Sequence, residues 1–552
     1  MFAKNKLATL LLGASALAFL AGPATAGGFI QTLGLSQRTS SLAGAVTAKS
    51  QDFDAFYTNP AGAADFNTPL VGLTAKIIDT SNIEIPFQAL LPTDDLRGGD
   101  VIDTIQGDKI AIAPATGAYL PMIPGSVVAG LGIGAPFALA ADFQDQAYGT
   151  IRSNESSADT ELLYIEASPT IAVKLTDRIN VGATLNIGIA KHAKFTLRSD
   201  NVAGANIQTR FALQSDDDLP LPVMPWEFST DPTAITFTLG TQVKLTDTLK
   251  FGFVYREETP NQFEGTLNVW AQDSGGLAGA NASLCTGPTE SAVCTFNFGV
   301  ERVRADLELP RHIQFGFEWW AMPNWALSFD AQWTNWADAT GFGSPLIVQL
   351  VSTQSVNAAT NSIVGVVPGA TTQVGVGGIT NALSFLTGGA VPVGANQVFV
   401  NYDAHDTWSF MVGSEYALND TWTILSGYQY DQGMRDKDSR DYLLGTDSDK
   451  HYVTGGVEYT TASPFGELKL NLGGQVIFYE SENVGIDQSL TAGGVGPNLD
   501  IGGFSAGPNP INAATAAPNQ IGFGNNEFSF EHMDGYIWTI GAGATLRFGA
   551  GG

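Results

Sequence analysis

Cations are scarce in this chain, and one long stretch has none: from His312 to Met434 there is neither Lys nor Arg. Over 552 residues, 26 Lys and Arg stand against 54 Asp and Glu. Without Lys4 and Lys6 near the N-terminus the balance is 24 against 54, a net charge of −30. So negative a chain does not suit a nucleic-acid partner. Yet only 14% of residues are charged while 63 are Gly and 10% are aromatic, too little charge for an ordinary soluble surface.

Cysteine is almost absent. Cys285 and Cys294 enclose eight residues in a Gly/Pro/Thr-rich stretch, a pattern that argues against a metal centre and predicts a local disulfide in an exported chain. Catalytic signatures are missing too. His192, His312, His405, His451 and His532 are scattered, and no His-Glu-x-x-His, Gly-x-Ser-x-Gly or phosphate-loop pattern occurs, so neither an enzyme nor a cofactor is expected.

Long apolar runs are limited to the N-terminus. Lys4 and Lys6 precede a nearly apolar run from Leu7 to Leu20, followed by Ala24, Thr25 and Ala26, which predicts a signal peptide over 1–26 cut before Gly27. That run is shorter than the roughly 20 residues a spanning helix needs. The longest uncharged stretch, Ala339 to Tyr402, is interrupted by Gly, Pro, Ser, Thr and Asn, which excludes a lipid-exposed helix there.

What the chain has instead is alternation. In WALSFDAQWTNW, Trp325, Leu327, Phe329, Ala331 and Trp333 share one strand face, and Ser328, Asp330, Gln332 and Thr334 share the other. Near the C-terminus Tyr536, Trp538, Ile540, Ala542, Ala544, Leu546 and Phe548 form a second apolar stripe. Two near-copies, VKLTDRINVG from Val173 and VKLTDTLKFG from Val243, place short turns at Thr176 to Arg178 and Thr246 to Thr248; Ala321 to Asn324 and Leu418 to Asp420 are two more. Long connections rich in Gly, Asn, Asp and Ser, such as Ser199 to Pro232 and Ala337 to Asp403, separate the hairpins.

Fourteen strands are predicted, over 70–78, 109–120, 125–137, 161–175, 178–195, 233–245, 249–259, 309–320, 324–336, 404–417, 421–431, 449–460, 466–480 and 535–548. Their number is even, as in bacterial outer-membrane barrels with periplasmic turns and extracellular loops. The reading is an all-β chain: a 14-stranded antiparallel transmembrane barrel over 68–552 whose lumen is filled by a plug over 27–67.

That leader contains RTSSLAGAVTAKSQDFDAFYTNPAG, with Arg38, Leu42, Gly44, Ala45, Ala48, Asp52 and the triplet Asn59, Pro60, Ala61. It resembles the N-terminal hatch of the FadL family, outer-membrane transporters of long-chain fatty acids and other hydrophobic compounds. GLGIGAPFALAADF and the block LPRHIQFGFEW to NWALSFDAQWTNW extend the resemblance over most of the barrel. It implies a hatch-plugged barrel that takes a hydrophobic substrate into a buried pocket and releases it sideways beside a kinked third strand. Gly130, Gly132, Gly134 and Pro136 lie in that strand, where Pro lacks a ladder donor and Gly weakens pairing; a bend at the outer rim is the alternative. Gly28 and Phe29 are read as a flexible tip at the pocket, with Asn59, Pro60 and Ala61 folding the plug near the wall.

Counting alternate residues puts His192, Lys194 and Arg256 on the polar inward face, as headgroup contacts or as plain lumen residues, with Lys191 toward lipid. The cation-free half of the barrel tilts the expected substrate toward a neutral hydrocarbon or aromatic, with a fatty acid still open. Apolar pieces of the long loop, PLIVQLV, SIVGVV and NALSFLTGG, read either as a capture surface or as a cover for the barrel mouth. Asp216 to Asp218 and the run from Asp431 to Asp449 read as solvated loop charge or as sites for divalent cations shared with lipopolysaccharide. A monomer in the bacterial outer membrane is expected, its partners the hydrophobic small molecule, outer-membrane lipid and lipopolysaccharide. The rival readings are an adhesin or receptor that uses the barrel as a loop platform, and a general aqueous porin.

Overall fold

The computed structural model describes residues 30–31, 34–79, 83–89, 103–107, 110–144, 156–200, 207–215, 235–273, 294–344, 346–350, 397–401, 404–434, 448–480, 498–501, 520–521, 528–530 and 534–549. Among these residues no helix is long and apolar enough to cross a membrane. The crossing elements are strands. They are β1 Leu70–Asp79, β2 Ile110–Ile123, β3 Val127–Gln144, β4 Ser156–Thr176, β5 Ile179–Asp200, β6 Ile235–Lys244 and β7 Leu249–Arg256. The second half contributes β8 His312–Met322, β9 Trp325–Thr334, β10 Thr407–Ala417, β11 Trp422–Asp431, β12 Lys450–Ser463, β13 Gly466–Tyr479 and β14 Asp534–Phe548. Each pairs antiparallel with the next, and β14 returns to β1 from Leu70↔Arg547 to Asp79↔Trp538, so the fourteen-stranded sheet closes on itself. Closure leaves no edge whose amides would need lipid as a partner.

Binary patterning decides which face is which. Phe329 and Phe253 lie exposed on the outside, while Asp330, Gln332, Val254 and Arg256 from the same strands are buried inside. Leu73, Ile77, Phe237 and Phe315 extend the outer apolar surface. Trp422 and Tyr459, with ring centroids 4.8 Å apart, sit where the turns begin, an amphipathic position suited to the membrane interface.

Tight turns join β2 to β3, β4 to β5, β6 to β7, β8 to β9, β10 to β11 and β12 to β13, all at one end of the barrel. At the other end the sheet continues past the barrel. β4 and β5 have 21 and 22 residues, about twice the span a tilted strand needs. The stretches expected to be loops contain strands of their own, Ile207–Ser215 within 199–232 and Leu346–Leu350 and Gln397–Asn401 within 337–403. They form because β5 and its neighbours present unpaired edges above the membrane, which short β-branched stretches can complete.

Candidate functional site

Residues 34–67 fold inside this wall. A helix α1, Gln37–Ser41, starts at Ser36, whose hydroxyl accepts from the Thr39 amide. A second, α2, Ala55–Thr58, leads into a 3-10 turn over Pro60–Asp65. Asn59 lies at their junction. Its side-chain oxygen accepts from Ala61 N at 3.0 Å, and its Nδ2 donates to Thr47 O at 2.7 Å and to Thr241 O of β6 at 3.2 Å, so this one residue folds the segment and ties it to the wall.

Charge holds the segment on the opposite side. Arg38 donates to Glu415 of β10 and, from Nε at 3.1 Å, to Glu458 of β12. Lys49 Nζ lies 2.9 Å from Glu318 of β8 and 3.3 Å from Glu415. Lys469 joins Glu458 at 2.7 Å. Burial alone would lower the Arg38 pKa, but Glu415 and Glu458 raise it well above its ordinary value, so the guanidinium stays charged. Asp54 anchors the start of the segment, accepting from Leu35 N at 3.2 Å, Ser36 N at 2.9 Å and the Thr39 hydroxyl at 3.2 Å. Burial, with Asp52 nearby, pushes its pKa up to about 6.

The fit between segment and wall is made by missing side chains. A methyl group added at Gly132 of β3 would stand 2.0 Å from Phe56, and one at Gly182 of β5 would stand 2.4 Å from the Pro60 backbone. Gly72 of β1 meets Phe53, Gly252 of β7 meets Thr47 O, Gly427 of β11 meets Leu42, and Gly456 of β12 meets Ser41 in the same way. Only glycine allows main chain to approach this closely on so many sides.

Above the segment, toward the long-loop end, lies an open cavity of about 720 Å3 including the solvent at its mouth. Tyr57 and Thr58 of α2 contribute to its floor. Trp336 and Met434 cover it from a cluster that also holds Phe342 and Ala404, with the Trp336 and Phe342 rings 4.8 Å apart. Its wall comes from β8 to β12 and is largely polar, with Gln314, Gln332, Thr407, Gln429 and Lys450. Lys450 lies 3.5 Å from Asp431.

On the other side of the lumen the wall is broken. Among the described residues the β2–β3 ladder runs from Ile123↔Val127 to Thr116↔Ile133 and no further, although β2 continues to pair with β1 down to Ile110. At that level β3 bulges against β4: Gly134 faces Glu166 and Phe137 faces Tyr164, so Ala135 and Pro136 oppose Ile165 alone. The freed edge of β3 is taken by the N-terminal residues, Ile30 opposite Ala138 and Gln31 opposite Phe137.

The residues singled out in the sequence thus divide. Gly130 and Gly132 stay within the ladder on both sides and serve close contacts with Tyr119 and Phe56; the ladder breaks at Gly134 to Pro136. Arg256 is buried and faces inward, bonded to Glu166, with its guanidinium 5.7 Å from the Tyr57 ring. For His192 and Lys194 only the backbone is described, opposite Leu163 and Glu161. A bulge leaves Ile189 between the pairs Ile165↔Ala190 and Glu166↔Gly188, and a simple count of alternate residues does not carry through it. Gly28, Phe29, Cys285, Asp216 to Asp218 and residues 351–396 of the long loop lie outside the described residues, and Cys294 is described only as backbone opposite Asp273. The cavity residues Gln314, Gln429 and Lys450 were missed, and only the inward parity of their strands could have marked them.

The family described as outer membrane protein transport protein (OMPP1/FadL/TodX) matches residues 17–494. The chain belongs to that family. Among solved structures, a FadL homologue of Pseudomonas aeruginosa is similar with a TM-score of 0.60 at 16% identity, covering 95% of this chain and 100% of that one. The Pseudomonas putida toluene transporter TodX gives 0.53 at 13% identity over 94% and 99%, and the Ralstonia pickettii toluene transporter TbuX gives 0.50 at 13% over 94% and 99%. At these identities the likeness establishes the fold. No curated protein matches the chain. As a member of that family the protein is an outer-membrane β-barrel transport protein.

Proposed function

We propose that this FadL-family barrel passes hydrophobic small molecules inward without energy coupling, taking fatty acids, neutral hydrocarbons or aromatics into the cavity above residues 34–67. Residues 1–26 act as a cleaved signal peptide, 27–67 as the hatch, and 68–552 as the barrel with its extracellular loops. The substrate leaves sideways, between β2 and β3, into the membrane. One observation carries this reading. The β2–β3 ladder stops at Thr116↔Ile133, and the exposed edge of β3 beyond it is occupied by Ile30 and Gln31, the chain that leads directly into the hatch. A segment of main chain lying on the exit and continuous with the plug is the arrangement a gated side opening requires. Gly28 and Phe29, immediately before Ile30 in the sequence, are the gating tip in this proposal.

Arg256 fits a role beside this route, since it adjoins the cavity residue His312 across the β7–β8 ladder and bonds Glu166 next to the bulge. The likeness to TodX and TbuX, both toluene transporters, supports a hydrophobic cargo. The test removes one bulge residue. Deleting Pro136 restores a one-to-one register between Gly134 and Tyr164, and uptake of labelled toluene and of a labelled long-chain fatty acid is then compared in cells with either form. Uptake by the parent above that of cells lacking the protein, abolished by the deletion, supports side release. Equal uptake by both forms removes it, and entry of small polar solutes instead makes the barrel a porin.

A further inference from the structure

Charge enters the cavity wall as a matched pair. Among the described residues that line it, Asp431 is the one acid and Lys450 the one Lys or Arg. Asp431 ends β11 and Lys450 begins β12, directly opposite each other in that ladder, with Lys450 Nζ 3.5 Å from Asp431 Oδ2. Opposite charges in facing positions attract, and the register of the two strands keeps them together. The pair is unequally accessible: the Asp431 side chain is 23% exposed and that of Lys450 only 6%. A molecule in the cavity therefore meets the carboxylate before the ammonium. That carboxylate is fixed in turn, because the hydroxyl of Ser409 of β10, another lining residue, donates to its Oδ1. Arg256, beside Tyr57 of the floor, adds no attraction for an anion, since it is bonded to Glu166 and 1% of its side chain is exposed.

Resting on the transport reading above, we infer that Asp431 determines specificity: it leaves the cavity open to neutral hydrophobic molecules and turns away carboxylates of the same size. Without it, Lys450 would present an ammonium to a carboxylate in a confined space, the pairing that anion sites use. With it, an incoming carboxylate gives up water to stand beside a like charge, and a like-charge contact of this kind is how a binding site rejects a wrong partner. Of the cargoes named above, an ionised fatty acid is then the one disfavoured, and neutral hydrocarbons and aromatics are the ones admitted.

The measurement is equilibrium dialysis at neutral pH of radiolabelled p-toluate and p-toluamide, which match in shape and differ in charge, against purified full-length protein in detergent, corrected with protein-free micelles. The parent should bind p-toluamide roughly tenfold more tightly or better. Asp431→Asn, which keeps the shape and an acceptor for Ser409, should shift that ratio roughly tenfold toward p-toluate, and adding Lys450→Met should take the gain away. Folding of each variant is read from the heat-dependent shift of the barrel on gels, and Asp431→Ser, with the same expected shift, replaces Asp431→Asn should the latter fail to fold. Equal or tighter binding of p-toluate by the parent, or no binding of either compound, overturns the inference. So does a folded Asp431 variant that rejects p-toluate as strongly as the parent. Transport is scored separately with labelled p-xylene in vesicles: if it crosses no faster than in vesicles without the protein, the transport reading fails, while the dialysis still decides the selectivity.

Discussion

Arg256 of β7 and Glu166 of β4 meet inside the barrel across the two strands that separate them, both almost wholly buried at 1% and 2% side-chain exposure. Glu166 faces Gly134, where the register of β3 breaks, and Arg256 faces His312, which lines the cavity. The pair therefore ties the cavity wall to the bulge of β3, at the level where the β2–β3 ladder ends. Removing one partner strands a buried charge, which typically costs about 3–5 kcal/mol. Glu166→Gln should lower the temperature at which the barrel loses its compact gel mobility. Glu166→Met with Arg256→Met should recover most of the loss, and if the double variant is as unstable as the single one, the pair is not the cause.

Two adjacent glycines should behave oppositely. A methyl at Gly456 would stand 2.3 Å from Ser41 Oγ, whereas one at Gly455 has only Leu425 O for company, at 3.8 Å. Gly456→Ala should cost about 1–3 kcal/mol by overpacking and let ions leak past a lifted hatch. Gly455→Ala should stay within about 0.5 kcal/mol and leave the barrel closed. Conductance across planar bilayers distinguishes them, and equal leakage from both would show that hatch contact is not what Gly456 serves.

Arg38 is the natural test of the charged side of the hatch. Arg38→Met leaves Glu415 and Glu458 to Lys49 and Lys469, so the buried carboxylates keep one cation each and the wall survives. The hatch loses its charged tie to β12 and one of its two to β10. Brief ion-conducting openings should appear in Arg38→Met and be rare in the parent, while the melting of the barrel shifts little. A variant as tightly closed as the parent would mean that the backbone contacts suffice.

Acid should tighten the hatch. The Asp54 carboxyl, pushed up to about 6 from an ordinary value near 4, binds its proton more strongly in the folded state than in the unfolded one. Its contribution is then fully present below the unfolded value and is lost as pH rises through about 6; at about 1.4 kcal/mol per pKa unit the loss is about 3 kcal/mol. Urea midpoints of the parent should fall between pH 4 and pH 6, and Asp54→Asn should flatten that fall. A parent whose midpoint is level across the interval contradicts this assignment.

Much of the barrel was legible because each crossing strand carries its own evidence. Alternation around Trp325 to Thr334 and the turn residues at Thr176 to Arg178 are local signals, and they placed β9 to within two residues and the β4–β5 turn to within one, while the far ends of β4 and β5, Ser156 and Asp200, each lie five residues beyond the expected limits. The hatch bonds were not readable in this way. Arg38 and Glu415 are separated by 377 positions and are brought together only when the last strand closes on the first. Parity counting also loses its footing at a bulge such as the one at Ile189, where β5 carries one residue more than β4 and the regular alternation that the count assumes is interrupted. The cavity lay hidden for a further reason: Gln429 and Lys450 look like ordinary lumen residues until the strands around them fix which part of the lumen the hatch leaves empty.

The glycine contacts around the hatch have a consequence for how such a chain can diverge. A gasket in which wall glycines admit the hatch's main chain and its Phe53, Phe56 and Ser41 side chains depends on a few positions staying small, on the carboxylates that hold Arg38 and Lys49, and much less on the remaining wall residues. Most of the circumference is then free to acquire new side chains for new cargo without reopening the pore. That gives a physical reason why a barrel can keep its architecture against a FadL homologue with which it shares 16% of its residues.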